Sequence, residues 1–191
     1  TPGLLWLVDW VGTPTSGLLG LEIQDNIAGT PAVGAGNQFA ELDGDHPVKI
    51  WQDIATIPGK EYQLTFKYSP RPGVGALDNS LQARVDGLVL GADLSVDGTS
   101  NSDTVWQDET RTFVADLDSL SKVEFYDNGT DTSLGGYIDS ADLRCIGDPQ
   151  LLPPKLTVNK VVVNDNGGNA VVADFPLFVS ATPVTHGVQN T

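Results

Sequence analysis

Methionine is absent from all 191 residues, position 1 included, so a chain opening on Thr1 is expected to be part of something longer or to have shed a leader. Cysteine occurs once, at Cys145, which excludes an internal disulfide, and no Cys/His cluster offers zinc its usual ligands. Histidine occurs twice. His46 sits in a turn beside Pro47 and His186 lies near the C-terminal end, which leaves little near-neutral base for catalysis. Long apolar runs are also missing. The stretch 4–8 is cut off by Asp9 and has no basic region before it, so it is neither a signal peptide nor a membrane span. No apolar stripe of helical period runs for three turns, and the closest case, 116–122, makes one turn at most. Bases are scarce as well: 10 against 25 acids, a net charge of −15 and a pI near 4.1. That balance excludes nucleic acid and anionic membrane surfaces as partners, and membrane insertion has no segment to use.

What the chain has is short runs of period two, separated by glycine, proline, asparagine and aspartate. Residues 20–24, 38–42 and 48–54 are β-prone, and the second and third end at Asp43-Gly44-Asp45 and Pro58-Gly59. In 61–68, Tyr62, Leu64, Phe66 and Tyr68 share one face while Gln63, Thr65 and Lys67 share the other. Residues 81–85 and 88–90 flank Asp86-Gly87, a two-residue hairpin signal. The runs 105–108, 110–115, 122–126 and 136–146 follow. About nine or ten strands with turns every 8–12 residues predict an all-β, antiparallel jelly-roll sandwich. That block is expected to span 1–147, followed by a proline-rich linker at 148–154. In 155–191 the pattern restarts, with strands expected at 156–163 and 175–181 around the turn Asn164-Asp165-Asn166-Gly167-Gly168. Thirty-seven residues are too few for an independent sandwich, so this unit is expected to be truncated or completed by a partner.

No nucleophile elbow, metalloprotease helix or phosphate loop is present, and a catalytic role is not expected. Saccharide binding needs an aromatic platform with planar polar groups around it. The candidates of those types are Trp51, Trp106, Tyr68, Arg71, Asn79 and Glu41, with Arg71 singled out because it sits in a Pro/Gly loop. Oxygen-rich loops at 97–103 and 127–131 could each hold an ion, but neither matches the twelve-residue EF-hand loop and turn chemistry alone explains them. Asn128-Gly129-Thr130 is the one N-glycosylation sequon, which makes Asn128 a candidate glycan acceptor.

Three segments carry a resemblance: Gly36-Asn37-Gln38-Phe39-Ala40-Glu41-Leu42-Asp43-Gly44, then Trp51-Gln52-Asp53-Ile54, then Pro58-Gly59-Lys60-Glu61-Tyr62-Gln63-Leu64-Thr65-Phe66. With Arg71-Pro72-Gly73 and Tyr137-Ile138-Asp139-Ser140-Ala141-Asp142-Leu143, they resemble galactose-binding-like jelly rolls of the carbohydrate-binding-module kind. The likeness covers roughly 10–146. Residues 156–191 resemble the first half of a prealbumin-like repeat of bacterial and archaeal surface proteins. The resemblance implies a secreted or cell-surface binding and adhesion module for a glycan or cell-wall polysaccharide. It also implies a structural Ca2+ at Asp139, with backbone carbonyls of 34–37 as further ligands. The family's opening Asn-Gly-x-Phe-Glu strand is missing here. An open slot of that kind invites a strand from a neighbour, so the alternative expectation is a subunit of an extracellular filament, sheath or surface layer that self-associates by strand exchange.

Overall fold

The computed structural model describes residues 6–14, 17–149 and 156–190. Ten strands build the first compact unit, which ends at Pro149. They are β1 (Leu7–Trp10), β2 (Glu22–Gln24), β3 (Phe39–Glu41), β4 (Val48–Ala55), β5 (Glu61–Ser69), β6 (Leu81–Val85), β7 (Leu88–Val89), β8 (Gln107–Val114), β9 (Leu120–Asp127) and β10 (Tyr137–Gly147). Two five-stranded antiparallel sheets result, in the orders β1-β4-β9-β6-β7 and β2-β3-β10-β5-β8. The all-β sandwich expected from the periodicity is the fold observed.

The sheets close on each other because alternate residues through the middle of β4, β5 and β9 are apolar. Along β4, Val48 and Ile50 are buried, and on the neighbouring β9, Val123 and Phe125 are buried on the same inner face. From the opposite sheet come Leu64, Phe66 and Tyr68 of β5 with Ile138 of β10. Phe66 and Phe125 meet edge-on at 4.9 Å across the interface of the layers. The Asp86-Gly87 hairpin forms as its dipeptide requires, with φ of 52° and 82° at the two turn residues, the signature of a type I′ turn.

The structure differs from the sequence expectations in several places. Leu7–Trp10, overlapping the stretch set aside as apolar but unassigned, is an edge strand paired with β4 from Leu7↔Trp51 to Trp10↔Val48. The edge of that sheet is therefore filled by the chain itself. The two runs at 105–115 are one strand, β8, paired without interruption to β5. On β10, β3 reaches only Tyr137 and Ile138, while β5 pairs the strand along its length, on both sides of a bulge between Asp139 and Asp142. Beyond Ile138 the other edge of β10 has no strand partner among the described residues.

The second compact unit, Gln150–Thr191, holds β11 (Leu156–Thr157), β12 (Leu177–Val179), β13 (Thr182–Val184) and β14 (Gln189–Asn190) with one short turn of 3₁₀ helix at Val172–Asp174. β11 pairs β14 and β12 pairs β13, and there is no larger sheet among the described residues. Residues 158–163 are not a strand, contrary to expectation. Val161 and Val163 are 83% and 77% exposed, with no second layer among the described residues of this unit to bury them. The linker residues 150–154 lie outside the described residues. No helix of the described chain is long and apolar enough to cross a membrane.

Candidate functional site

Four of the six proposed saccharide contacts fall together, but mostly inside the protein. Glu41, Tyr68 and Asn79 have no exposed surface. Arg71 reaches from its loop to ion-pair with Glu41 Oε1, which also accepts the Gly135 N–H at 2.9 Å. The amide of Gln24 donates to Glu41 Oε2 at 2.6 Å. Asn79 Oδ1 accepts the Arg71 backbone N–H at 2.8 Å, and its amide donates to the Val74 carbonyl at 2.9 Å. The Tyr68 hydroxyl donates to the Asn79 carbonyl at 2.7 Å. Burial pushes the Tyr68 hydroxyl up to about 12 and raises the Glu41 carboxyl, an effect that Gly135 and Arg71 oppose. This cluster secures the Arg-Pro-Gly loop to the sheet. Glu41, Tyr68 and Asn79 are withdrawn as saccharide contacts because no ligand can reach them. Arg71 has a packing role that its loop position concealed.

Trp106 is half-buried. Its indole N–H donates to the Thr30 carbonyl at 2.8 Å and its ring meets Phe39 edge-on at 5.3 Å. It borders a depression of about 380 Å3 with Lys67, Asp103 and Thr104. The Thr30 hydroxyl and amide, followed by the Thr104 amide, hold the Asp103 carboxyl below the usual carboxylate range.

Trp51 stands elsewhere, on the solvent side of the other sheet. Parity decides this: Val48, Ile50 and Gln52 point inward, so Lys49, Trp51 and Asp53 point out. On β9 the same rule turns Lys122, Glu124 and Tyr126 outward, and on β6, Gln82 and Arg84. Register then aligns them in rows. Leu7, Trp51, Glu124 and Arg84 lie side by side across β1, β4, β9 and β6, and Asp9, Lys49, Tyr126 and Gln82 form the next row. Lys122 stands 5.3 Å from the Trp51 ring centre, and the Arg84 guanidinium lies 3.4 Å above that of Tyr126. Arg84 also faces Glu124 at 3.8 Å, and its Nε donates to Gln82 Oε1 at 2.9 Å. The middle of the face dips into a depression of about 500 Å3 bordered by Lys49, Arg84, Lys122, Glu124 and Tyr126. Tyr126 was missed from sequence, although the alternation of Lys122, Glu124 and Tyr126 with Val123 and Phe125 already placed it opposite the core.

Asp139 is opposite Lys67 in the β10–β5 register, and its Oδ2 is buried without a hydrogen-bond partner. Burial raises its carboxyl, with the Ser140 N–H and hydroxyl and then Lys67 opposing. A calcium site needs several converging oxygens. Among the described residues no group of three or more His, Cys, Asp or Glu side chains is placed to hold a metal ion. Asp139 is the one carboxylate that the resemblance offers the ion beside the backbone carbonyls of 34–37, and Lys67 opposite it competes for that carboxylate. Asn128 is exposed at the end of β9, with its amide donating to Asp93 at 3.0 Å.

No family model matches the chain, and no curated protein matches it. Solved structures do. A family 35 carbohydrate-binding module from Clostridium thermocellum aligns at 15% identity and a TM-score of 0.44, over 64% of this chain and 90% of that one. The CBM22-1 xylan-binding domain of Paenibacillus barcinonensis Xyn10C aligns at 9% identity and a TM-score of 0.48, over 75% of this chain and 87% of that one. The enzymatically active domain of a bacteriophage CBA120 tailspike aligns at 12% and 0.45, over 74% of this chain and 19% of that one.

Proposed function

We propose that this chain is a non-catalytic, extracellular carbohydrate-binding module whose saccharide lies across the outer face of the β1-β4-β9-β6-β7 sheet. One observation carries the reading: Trp51 and Tyr126 occupy the solvent side of neighbouring strands among Lys49, Gln82, Arg84, Lys122 and Glu124. An indole offers a flat apolar surface to the C–H face of a sugar ring, and the surrounding charged and amide groups donate to and accept from its hydroxyls. Each cation has an acid near it. Lys49 pairs with Asp9 at 3.7 Å, Arg84 faces Glu124, and Lys122 is opposite Asp53. Such a face has little net field, so it suits a neutral polysaccharide better than an anionic one.

Trp51→Ala is expected to weaken binding to the best neutral glycan of an affinity-electrophoresis panel at least tenfold, about 1.4 kcal/mol. Raising the salt from low to high is expected to change the native affinity by less than about twofold, because no net charge is neutralised. Unchanged retardation of Trp51→Ala would place the saccharide elsewhere, with the Trp106 depression next in line.

A second reading, assembly through strand addition, is favoured by the bare edge of β10 beyond Ile138. Beside it runs a cleft of about 290 Å3 between the sheets, lined by Trp6, Leu21, Ile23, Phe39, Ile138 and Ala141. An added strand would come from a second copy. Light scattering across a concentration series tests this: dimers or longer species support it, and a monomer throughout rejects it.

A further inference from the structure

Where the loop 128–136 returns from β9 to β10, two aspartates are enclosed with no cation of their own. Asp43, just after β3, has no exposed surface, and Asp127, the last residue of β9, is 1% exposed. Each is held by backbone on one oxygen only. Asp43 Oδ2 accepts the N–H groups of Thr132 at 3.1 Å and Leu134 at 3.3 Å. Asp127 Oδ1 accepts the N–H of Gly129 at 2.6 Å. The other oxygens, Asp43 Oδ1 and Asp127 Oδ2, are buried and have no hydrogen-bond partner.

Gly135 packs against both residues, on the Cβ and backbone side of Asp43 and on the Oδ2 side of Asp127. A side-chain carbon at that glycine would stand 2.8 Å from Asp43 Cβ and 3.3 Å from Asp127 Oδ2, so only glycine lets the loop close over the pair. Around them the charge is lopsided. Glu41 also feeds its field into Asp127 but is neutralised by Arg71, and Asp131 adds to both while pairing with His46 at 2.8 Å. No lysine or arginine ion-pairs with Asp43 or Asp127 among the described residues. A buried carboxylate with a bare oxygen costs several kcal/mol unless a cation or a proton meets it.

We infer that Asp43 and Asp127 bind a hard divalent cation of the calcium class through their two unpartnered oxygens, pinning the 128–136 loop against β3. The donors are all oxygen, the preference of Ca2+ and not of zinc. Burial raises both carboxyls and the backbone N–H bonds on the far oxygens oppose it; a divalent ion neutralises the pair together, whereas a single proton neutralises one carboxyl at a time. Water is the remaining donor available. This inference is independent of the saccharide face and of Asp139.

The test uses the 1–191 chain, stripped with chelator and titrated with CaCl2 by calorimetry, with melting temperature followed in parallel. One Ca2+ per chain and a raised melting temperature are expected. Asp43→Asn and Asp127→Asn each keep the side-chain shape while removing a buried charge. Both are therefore expected to melt no lower than the metal-free native chain, yet to lose at least tenfold in Ca2+ affinity. Asp139→Asn is expected to bind as the native chain does. Absence of binding at millimolar Ca2+ would overturn the inference, and so would a loss of affinity that follows Asp139→Asn and spares Asp127→Asn. A chain that ignores Ca2+ while its melting temperature climbs as the pH falls would show that a proton, not a metal, occupies the pair.

Discussion

Arg71→Ala is expected to destabilise the first unit by about 3–5 kcal/mol, read as a shift of its urea midpoint. The magnitude follows from asymmetry. Arg71 keeps 20% of its side chain in solvent, whereas Glu41 keeps none. Removing the arginine strands a fully enclosed carboxylate whose other partners, Gly135 and Gln24, are dipoles and not charges. Glu41→Gln should cost less, because the released guanidinium can turn to water. In the Glu41→Gln background the cost of Arg71→Ala should shrink by about 1–3 kcal/mol, the coupling of the pair. The pH dependence has a definite sign. Burial already raises the Glu41 carboxyl in the folded state, and loss of Arg71 raises it further. A folded-state value above the unfolded one means that protonation favours folding. The Arg71→Ala chain should therefore regain stability as the pH falls from neutral through that raised value, and should lose it again as the pH climbs. Equal costs for Arg71→Ala with and without Glu41 would show that the pair does not hold the loop.

Which parts of this molecule could be read from its residues depends on how far apart the deciding partners lie. The strand Glu61–Ser69 was legible because its burial alternates within nine residues, and the hairpin at Asp86-Gly87 because its turn chemistry is local. Leu7–Trp10 was not, since four residues with no turn signal behind them become a strand only when β4 offers its edge. The break expected inside Gln107–Val114 failed because pairing along the whole of β5 overrides the weak β-preference of Asp108 and Glu109. For the candidate site, Trp51 was found by residue type but its side of the sheet was left open. Its parity with Lys49 and Asp53 decides the matter, and the same parity would have exposed Tyr126. The Glu41–Arg71 pair joins residues 30 apart, and the Asp43–Asp127 enclosure depends on a loop closing over Gly135. Neither leaves a periodic trace, so Glu41 and Asn79 read as exposed polar candidates when they are interior, whereas the alternation of Tyr68 with Leu64 and Phe66 already placed it inside.

The second large effect is expected at Phe125→Ala, which should cost about 3–5 kcal/mol in the same unfolding transition. Phe125 has no exposed surface and is the meeting point of both layers. Its ring touches Phe66 of the facing sheet at 4.9 Å and Trp6, next to the edge strand, at 5.6 Å. Its backbone is fixed on both sides, by Ile50 of β4 and Ala83 of β6. The surrounding strands are thus held in register and cannot collapse into the space left behind, which puts the loss near the upper end for a phenylalanine. Phe125→Leu fills most of the volume and should cost much less, about 1–1.5 kcal/mol. Because Phe125 and its outward neighbours Glu124 and Tyr126 alternate on one strand, the substitution also tests whether core and face are mechanically joined. If Phe125→Leu keeps the fold yet weakens glycan binding more than about twofold, the platform depends on how tightly β9 is seated. If affinity is unchanged, the face is set by register alone, as the backbone pairing of β4, β9 and β6 implies.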